Sequence, residues 1–326
     1  IVLHLCHIYS IKMKVHYDLV SLPQFKDAIV TMGAFDGVHK GHQQIIQRMK
    51  QLAQKVEGET IIITFHPHPR KVISSVPGEI KQLSSIKERI QLLEAAGIDH
   101  LVIINFDYQF SNLTAAQYVE DFLYHYFKPN TVIVGYDHHF GKNRTADIND
   151  LIAFGNQYNF EVEQISAEEL NEVAVSSTKI RNALTDGNIE LANSFLGYNY
   201  AITGMVVQGN QLGRTIGFPT ANISINEDYK LIPNSGVYVV ECKIENQSYF
   251  GMMNIGTNPT VENTNQKQKM EVNIFDFDQD VYGKSINISF LKRIRSEQKF
   301  GSLDALKAQI ANDKVTSLHF IESFRN

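Results

Sequence analysis

Gly33-Ala34-Phe35-Asp36-Gly37-Val38-His39-Lys40-Gly41-His42 is the stretch from which the rest of the chain can be interpreted. Ala28-Ile29-Val30-Thr31-Met32 precedes it, a short apolar run of the kind that forms a buried parallel strand. Beyond it Ile45, Ile46, Met49, Leu52, Ala53 and Val56 recur on one face of a 3.6-period helix. The stretch is therefore a glycine-rich turn from strand to helix. Gly33, Gly37 and Gly41 let backbone approach a ligand closely, and the helix N-terminus supplies free N–H groups and a positive dipole end. His39 and His42, three apart at the helix entry, can face one phosphate. The competing account is a tight turn whose histidines only cap a helix.

The chain has 326 residues, 43% hydrophobic and 20% charged, which predicts about two domains. A net charge of −5 gives no general attraction to nucleic acid or acidic membranes. Two cysteines, Cys6 and Cys242, are too few for a disulfide framework, so a reducing, cytoplasmic setting fits best. Residues 1–12 lack the basic start and cleavage site of a signal peptide, and Met13-Lys14-Val15 looks like a natural start, so 1–12 is taken as an upstream extension. No apolar run has the length needed to cross a bilayer.

From about 28 to 165 apolar strands alternate with helices: strands at 60–65, 100–106, 131–134 and 161–165, and helices from 86, from 114 to 126, and around 148–158. Ser84 or Ser85 is the expected cap of the helix at 86, with Gly97 its stop. Such order predicts a parallel, doubly wound, Rossmann-like sheet with ligands outside the carboxyl ends of its strands. Polar motifs fall at those ends. His66-Pro67-His68-Pro69-Arg70 follows the second strand as an extended loop, able to meet phosphate or an aromatic ring, or simply a rigid surface loop. Gly135-Tyr136-Asp137-His138-His139-Phe140-Gly141 follows the fourth. Six histidines lie in these three loops, but no His-x3-His or Cys-x2-Cys spacing supports zinc. Ser176, Ser177 and Thr178 open a later helix, where hydroxyls cap free N–H groups, and Arg181 one turn on offers a positive fork for phosphates.

Past Asp186-Gly187 a short helix ends at Gly197, and the period changes to short strands at 201–207, 237–244, 248–255, 269–275 and 286–291. These predict a small antiparallel β-barrel, with two terminal helices at about 302–311 and 313–323 packed over it. Gly209, Gly213 and Gly217 punctuate the segment from Gly204 to Asn222, which is no Walker A loop because no Gly-Lys-Ser/Thr follows. Composition alone leaves a β-turn with bulges as an equal account. Alternation puts Glu271, Asn273 and Phe275 on one strand face. Asp276, Asp278 and Asp280 lack the Gly and distal Glu of an EF-hand.

Taken together, Phe-Asp-Gly-Val-His-x-Gly-His at 35–42, Phe-x-Pro-His-Pro at 65–69, Gly-x-Asp at 135–137 with Phe140-Gly141, and Ser-Ser-Thr-x-Ile-Arg at 176–181 resemble the adenylyltransferase half of the bacterial bifunctional riboflavin kinase/FAD synthetase family. Gly-Arg-x-x-Gly-Phe-Pro-Thr-Ala-Asn at 213–222 resembles its riboflavin kinase signature, as do 254–260 and 271–283. The resemblance implies an FMN adenylyltransferase domain over 13–186 and a riboflavin kinase domain over 187–326. ATP and Mg²⁺ would serve both, with riboflavin and FMN as substrates and FAD as product. It implies that His39, His42 and Arg181 stabilise charge on the transferring and leaving phosphates. Gly33, Phe35, Asp36, Gly37, Lys40, Gly41, His68, Asp137, Ser176, Ser177 and Thr178 would line that site.

For the kinase half it implies Glu271 as base for the riboflavin 5′-hydroxyl and Thr220 and Asn222 as holders of Mg²⁺–ATP. Gly209, Gly213, Arg214, Gly217 and Pro219 would wrap the phosphates, and Arg295 would lie near flavin or nucleotide. His138 stands where an aromatic is usual and Ala146 where a glycine is common, which puts the loop geometry in question. Expected partners are small molecules only, without nucleic acid or membrane, in a monomer or weak homo-oligomer. The alternatives are the same fold with kinase activity alone, a non-catalytic flavin-responsive protein, and a cytidylyltransferase, which the first half alone would allow.

Overall fold

The structure is a computed structural model that describes residues 12–73, 80–166, 175–209, 213, 216–245, 247–257 and 268–325. Arg214, and 258–260 of the second kinase segment, lie outside the described residues. The chain divides between Val175 and Ser176 into two compact units.

The first unit is a six-stranded, all-parallel sheet in the order β1-β4-β3-β2-β5-β6. Its strands are β1 (Lys14–His16), β2 (Ile29–Met32), β3 (Thr60–Phe65), β4 (His100–Ile104), β5 (Thr131–Gly135) and β6 (Glu161–Ile165). β2 and β4 are buried throughout, as continuous apolar runs in a sheet covered on both faces must be. One core layer joins Val30, Ile61, Ile63, Val102 and Val132 to Val119, Phe122 and Phe127; the other joins Ile29, Ile62, Leu101 and Ile133 to Ile45, Ile46, Met49 and Leu93. From β2 the chain runs through β3 and β4 to one side, then through β5 and β6 to the other. The strand order thus reverses between β2 and β5, and the crevice at their carboxyl ends is where ligands bind in such sheets.

The helices are α1 (Lys40–Val56), α2 (Pro69–Ile73), α3 (Ile86–Ala95), a one-turn α4 (Tyr108–Ser111), α5 (Ala115–Gln117), α6 (His125–Phe127) and α7 (Ile148–Tyr158). α5 and α6 are the ends of one rod whose middle, Tyr118–Tyr124, is π-helical. Of the two serines proposed as caps, Ser85 begins α3, in a reciprocal capping box with Glu88, and Gly97 follows its end at φ 78°. The extended loop expected at 66–70 gives way at Pro69 to α2, whose first position suits a proline that lacks an N–H.

In the second unit α8 (Ser177–Thr185) and α9 (Ile189–Leu196) pack together ahead of a closed antiparallel barrel. Its strands, in the order β10-β11-β8-β7-β12-β9, are β7 (Ala201–Val207), β8 (Ala221–Ser224), β9 (Gly236–Ile244), β10 (Gln247–Thr257), β11 (Gln268–Ile274) and β12 (Ser285–Arg295). β8 was not expected: it starts in the last two residues of the glycine-rich segment, and only pairing to β7 and β11 makes it a strand. The two predicted terminal helices are one, α10 (Leu303–Arg325). No glycine or proline interrupts it, and Asp313, at the expected break, is buried and bonded to β12.

Candidate functional site

The 33–42 loop leaves β2 at the reversal point and turns into α1. Gly37 has φ 78°, but Phe35 (φ 46°) and Val38 (φ 38°) are also left-handed. For a bulky and a β-branched residue that costs about 1–3 kcal/mol each and persists only when the surroundings enforce it. They do so here. Asp36, 2% exposed, accepts from the N–H groups of Leu83 and Ser84 (both 3.0 Å) and from the Ser84 hydroxyl (3.2 Å), while Gly37 N–H donates to Ser84 Oγ (3.0 Å). The Arg89 guanidinium lies 3.8 Å from Asp36 Oδ1. Sequence reasoning gave Asp36 a ligand-facing place; the structure gives its carboxylate to the 82–85 segment and α3. Gln82, Ser84 and Arg89 are what that reasoning missed, and nothing in local sequence links them to residue 36.

His39 is the N-cap residue of α1, yet its side chain makes no capping bond. It stacks instead on His42, ring centroids 3.7 Å apart and planes 18° from parallel, and the Phe35 ring lies 4.7 Å from His42. The account of the histidines as caps therefore fails for His39. His42 keeps some exposed surface, but its Nδ1 is enclosed without a hydrogen-bond partner among the described residues. Burial, then the neighbouring His39 and the Arg89 charge, hold its imidazole well below the ordinary histidine value, so it is neutral at pH 7. Lys40 is exposed at the helix start.

Neighbouring loops leave the same edge of the sheet. His66 N–H donates to Ile104 O (2.9 Å), and burial, then Arg89 and Lys71, lower its imidazole pKa. His68 Nδ1 accepts from Arg70 N–H (3.2 Å), so His68 begins α2. Thr31 Oγ1 donates to Ile133 O (2.8 Å), joining β2 to β5. After β5, Phe140 and Ala146 exchange backbone bonds of 3.1 and 3.2 Å. Ala146, where a glycine is common, is 3% exposed in that bridge. His138 stacks on Phe140 at 5.8 Å, and Asp137 is exposed. Burial, against the opposing pull of Asp137, pushes the His138 imidazole down to about 4; uncharged, it serves as an aromatic ring. Ser176 caps α8 by accepting from Lys179 N–H (3.3 Å), with Ser177, Thr178 and Arg181 on its first turns.

In the barrel, opposed residues of antiparallel strands share a face. Asn222 on β8, Glu271 on β11 and Asn254 on β10 are opposed in turn, so three polar side chains form a row across three strands. Glu271 is paired with Lys269 (Nζ–Oε1 2.8 Å). A Cβ at Gly209 would lie 2.1 Å from Asn222 Nδ2, and one at Gly213 would lie 2.3 Å from Phe218 O and 3.2 Å from Thr220 Oγ1. Both glycines thus admit a backbone that closes over Thr220 and Asn222, with Gly217 at φ 87°. Phe218 N–H donates to Gly213 O (2.8 Å), and Asn273 Nδ2 to Pro219 O (2.6 Å), which fixes the segment before Thr220. Arg295 is engaged elsewhere, forked onto Asp313 of α10 at 2.7–3.1 Å.

A histidine pair on a glycine loop at the switch point of a doubly wound sheet, joined in one chain to a closed barrel with a glycine-wrapped polar row, defines a two-domain nucleotide-using transferase. Comparison with known proteins narrows the class. A family model described as FAD synthetase matches residues 22–179, and one described as riboflavin kinase matches 196–321. The bifunctional riboflavin kinase/FMN adenylyltransferase of Escherichia coli K12 is 37% identical over 305 residues, 93% of this chain and 96% of that one. The enzyme of the same description from Bacillus subtilis is 35% identical over 95% of this chain and 97% of its own. A Streptococcus pneumoniae crystal structure described as a macrolide-efflux protein superposes with TM-score 0.83 at 32% identity, covering 94% of this chain and 99% of that one. That description has no counterpart here in a membrane helix: among the described residues none is long and apolar enough to cross a bilayer. The chain belongs to the bifunctional riboflavin kinase/FMN adenylyltransferase family, an enzyme with an FAD synthetase and a riboflavin kinase domain.

Proposed function

We propose that the 33–42 loop is the adenylyl-transfer site, and the observation that carries this is the stacked His39–His42 pair at the sheet's switch point. An FMN phosphate oxygen attacks the α-phosphorus of ATP. The new P–O bond forms as the bond to the bridging oxygen breaks, and pyrophosphate leaves with the electron pair. The attacking phosphate is already anionic, so no side-chain nucleophile is required, and catalysis is positioning and charge stabilisation. His39 and His42 serve the α-phosphate as hydrogen-bond donors, Lys40 and the α1 amides supply positive potential, and Arg181 is assigned the β- and γ-phosphates by resemblance. Phe35, Gly33, Gly37 and Gly41 shape the loop against the nucleotide, and His68 and Asp137 line it. The adenylyltransferase domain is proposed to span 13–186 and the kinase domain 187–326.

In the barrel, Glu271 is proposed to accept the proton of the riboflavin 5′-hydroxyl, whose oxygen attacks the γ-phosphorus while ADP leaves. Lys269 Nζ lies 2.8 Å from its Oε1 and orients that carboxylate. Thr220 and Asn222 suit Mg²⁺: they are uncharged oxygen donors crowded against a glycine-wrapped backbone, the kind of sparse set that Mg²⁺ completes with phosphates and water. Bound there, Mg²⁺ would neutralise charge on the transferring phosphoryl group. A cytoplasmic setting is proposed from the low cysteine content; Cys242 is a buried free thiol whose pKa burial pushes up to about 12.

The test separates riboflavin, FMN and FAD by chromatography after incubation with ATP and Mg²⁺. Conversion of riboflavin to FAD supports both roles. Accumulation of FMN alone would remove the adenylyl-transfer assignment, and no product at all would leave the flavin-responsive alternative standing.

A further inference from the structure

We infer that Arg89 is a positioning residue for adenylyl transfer, locking the 33–42 loop in its left-handed form and setting the charge around the histidine pair. The inference rests on that loop being the adenylyl-transfer site. Arg89 lies on α3, outside the sequence motifs described above, and is fully buried. Its guanidinium grips the loop at two points. Nη2 stands 3.8 Å from the Asp36 carboxylate, and Nη1 donates to Thr64 Oγ1 (3.3 Å), whose hydroxyl donates to Ala34 O (3.1 Å). Nη2 also donates to Gln82 Oε1 at 2.9 Å. Residues 34 and 36 flank Phe35, the left-handed residue whose ring touches His42. The guanidinium is therefore tied to both neighbours of the strained residue beside the His42 ring, to Asp36 through its carboxylate and to Ala34 through the Thr64 hydroxyl.

Stability alone does not account for such a residue. Replacing a buried ion pair by well-packed apolar side chains is often neutral or stabilising, so a buried pair is weak evidence of a purely stabilising role. The guanidinium charge acts on His42, whose proton affinity is lowered by burial, by His39 on the loop and by Arg89 on α3. Asp36 partly offsets Arg89, and Lys40, exposed at the start of α1, is the other nearby cation in sequence. Arg89 thus adds its charge to the burial and the His39 contact that hold His42 in the neutral form.

The experiment follows FMN-to-FAD conversion by the full chain across pH for the wild type, Arg89→Met, Arg89→Lys, Asp36→Asn and His42→Ala, with thermal melting to confirm folding. Arg89→Met is expected to lower kcat about 100-fold, the cost of a small displacement at a reacting centre. It should also move the acid limb of the pH–rate profile to higher pH, because His42 gains its proton more easily. Asp36→Asn, which leaves the Arg89 charge uncompensated, should move that limb to lower pH. Arg89→Lys should restore the limb but only part of kcat, since an ammonium lacks the fork. A merely structural role would lower activity in these variants without opposite shifts of the limb. The inference is overturned if folded Arg89→Met keeps the wild-type limb, or if Asp36→Asn leaves it unmoved or shifts it upward. Should Arg89→Met not fold, the direction of the Asp36→Asn limb shift decides the charge role by the criterion above, and an Arg89→Lys variant with full wild-type kcat overturns the positioning role. If His42→Ala retains adenylylation, the loop is not the site; if His42→Ala abolishes it while Arg89→Met and Asp36→Asn keep the wild-type limb, only the role of Arg89 falls.

Discussion

At the scale of single residues, protonation states carry the most direct consequences. His42 and His138 are both neutral at pH 7 because burial removes their charged forms. A histidine whose folded pKa lies below its unfolded value gives stability that is present above about 6.5 and is lost as pH falls toward the folded pKa. For His138, between about 6.5 and about 4, that loss is at most about 3 kcal/mol. The melting temperature of the first unit should therefore fall across that window. His138→Phe should flatten the fall while preserving the stack on Phe140, and calorimetry from pH 7 to 4 checks it. Adenylyl transfer should also decline in acid as His42 protonates. His42→Ala should lower FMN-to-FAD conversion by about 100-fold or more while riboflavin phosphorylation is unchanged, measured by product chromatography.

Elements show where local pattern stops being sufficient. β8 is four residues long and looks like loop, yet it closes the barrel and aligns Asn222 with Glu271. Gly209→Ala places a methyl 2.1 Å from the Asn222 amide, so Asn222 must move. Riboflavin phosphorylation should fall about tenfold or more with FMN adenylylation intact, which assays on each substrate separate. α10 depends on a different contact, the buried fork between Arg295 and Asp313, reinforced by Gln309 (2.9 Å). Asp313→Ala leaves that guanidinium without its partner, so a loss of about 3 kcal/mol and faster proteolysis of the C-terminal helix are expected. Arg295 is thereby better explained as the anchor of α10 than as a ligand residue, the place the sequence had suggested.

For the whole molecule, two compact units in one chain predict separable reactions. Glu271→Gln should abolish FMN formation from riboflavin yet still convert supplied FMN to FAD; His42→Ala should show the reverse pattern. A mixture of the two variants should then restore FAD formation from riboflavin through released FMN, as a time course of the three flavins would show.

Sequence by itself determined the alternation of strand and helix, the change to short strands past residue 200, and the two glycine-rich segments proposed to handle phosphate. These are local: a strand's apolar run, a helix face and a glycine turn are each written within about twenty neighbouring residues. Only tertiary structure decided the switch-point location of the loop, the closure of the barrel through β8, the Asn273 bond to Pro219, and the uses of Asp36, Arg89 and Arg295. Each of those is a contact between side chains or strands distant in sequence: Asp36 meets Ser84, and Asn273 meets Pro219. A buried charge is placed by whichever partner can repay its desolvation, and that partner is known only once the chain has folded.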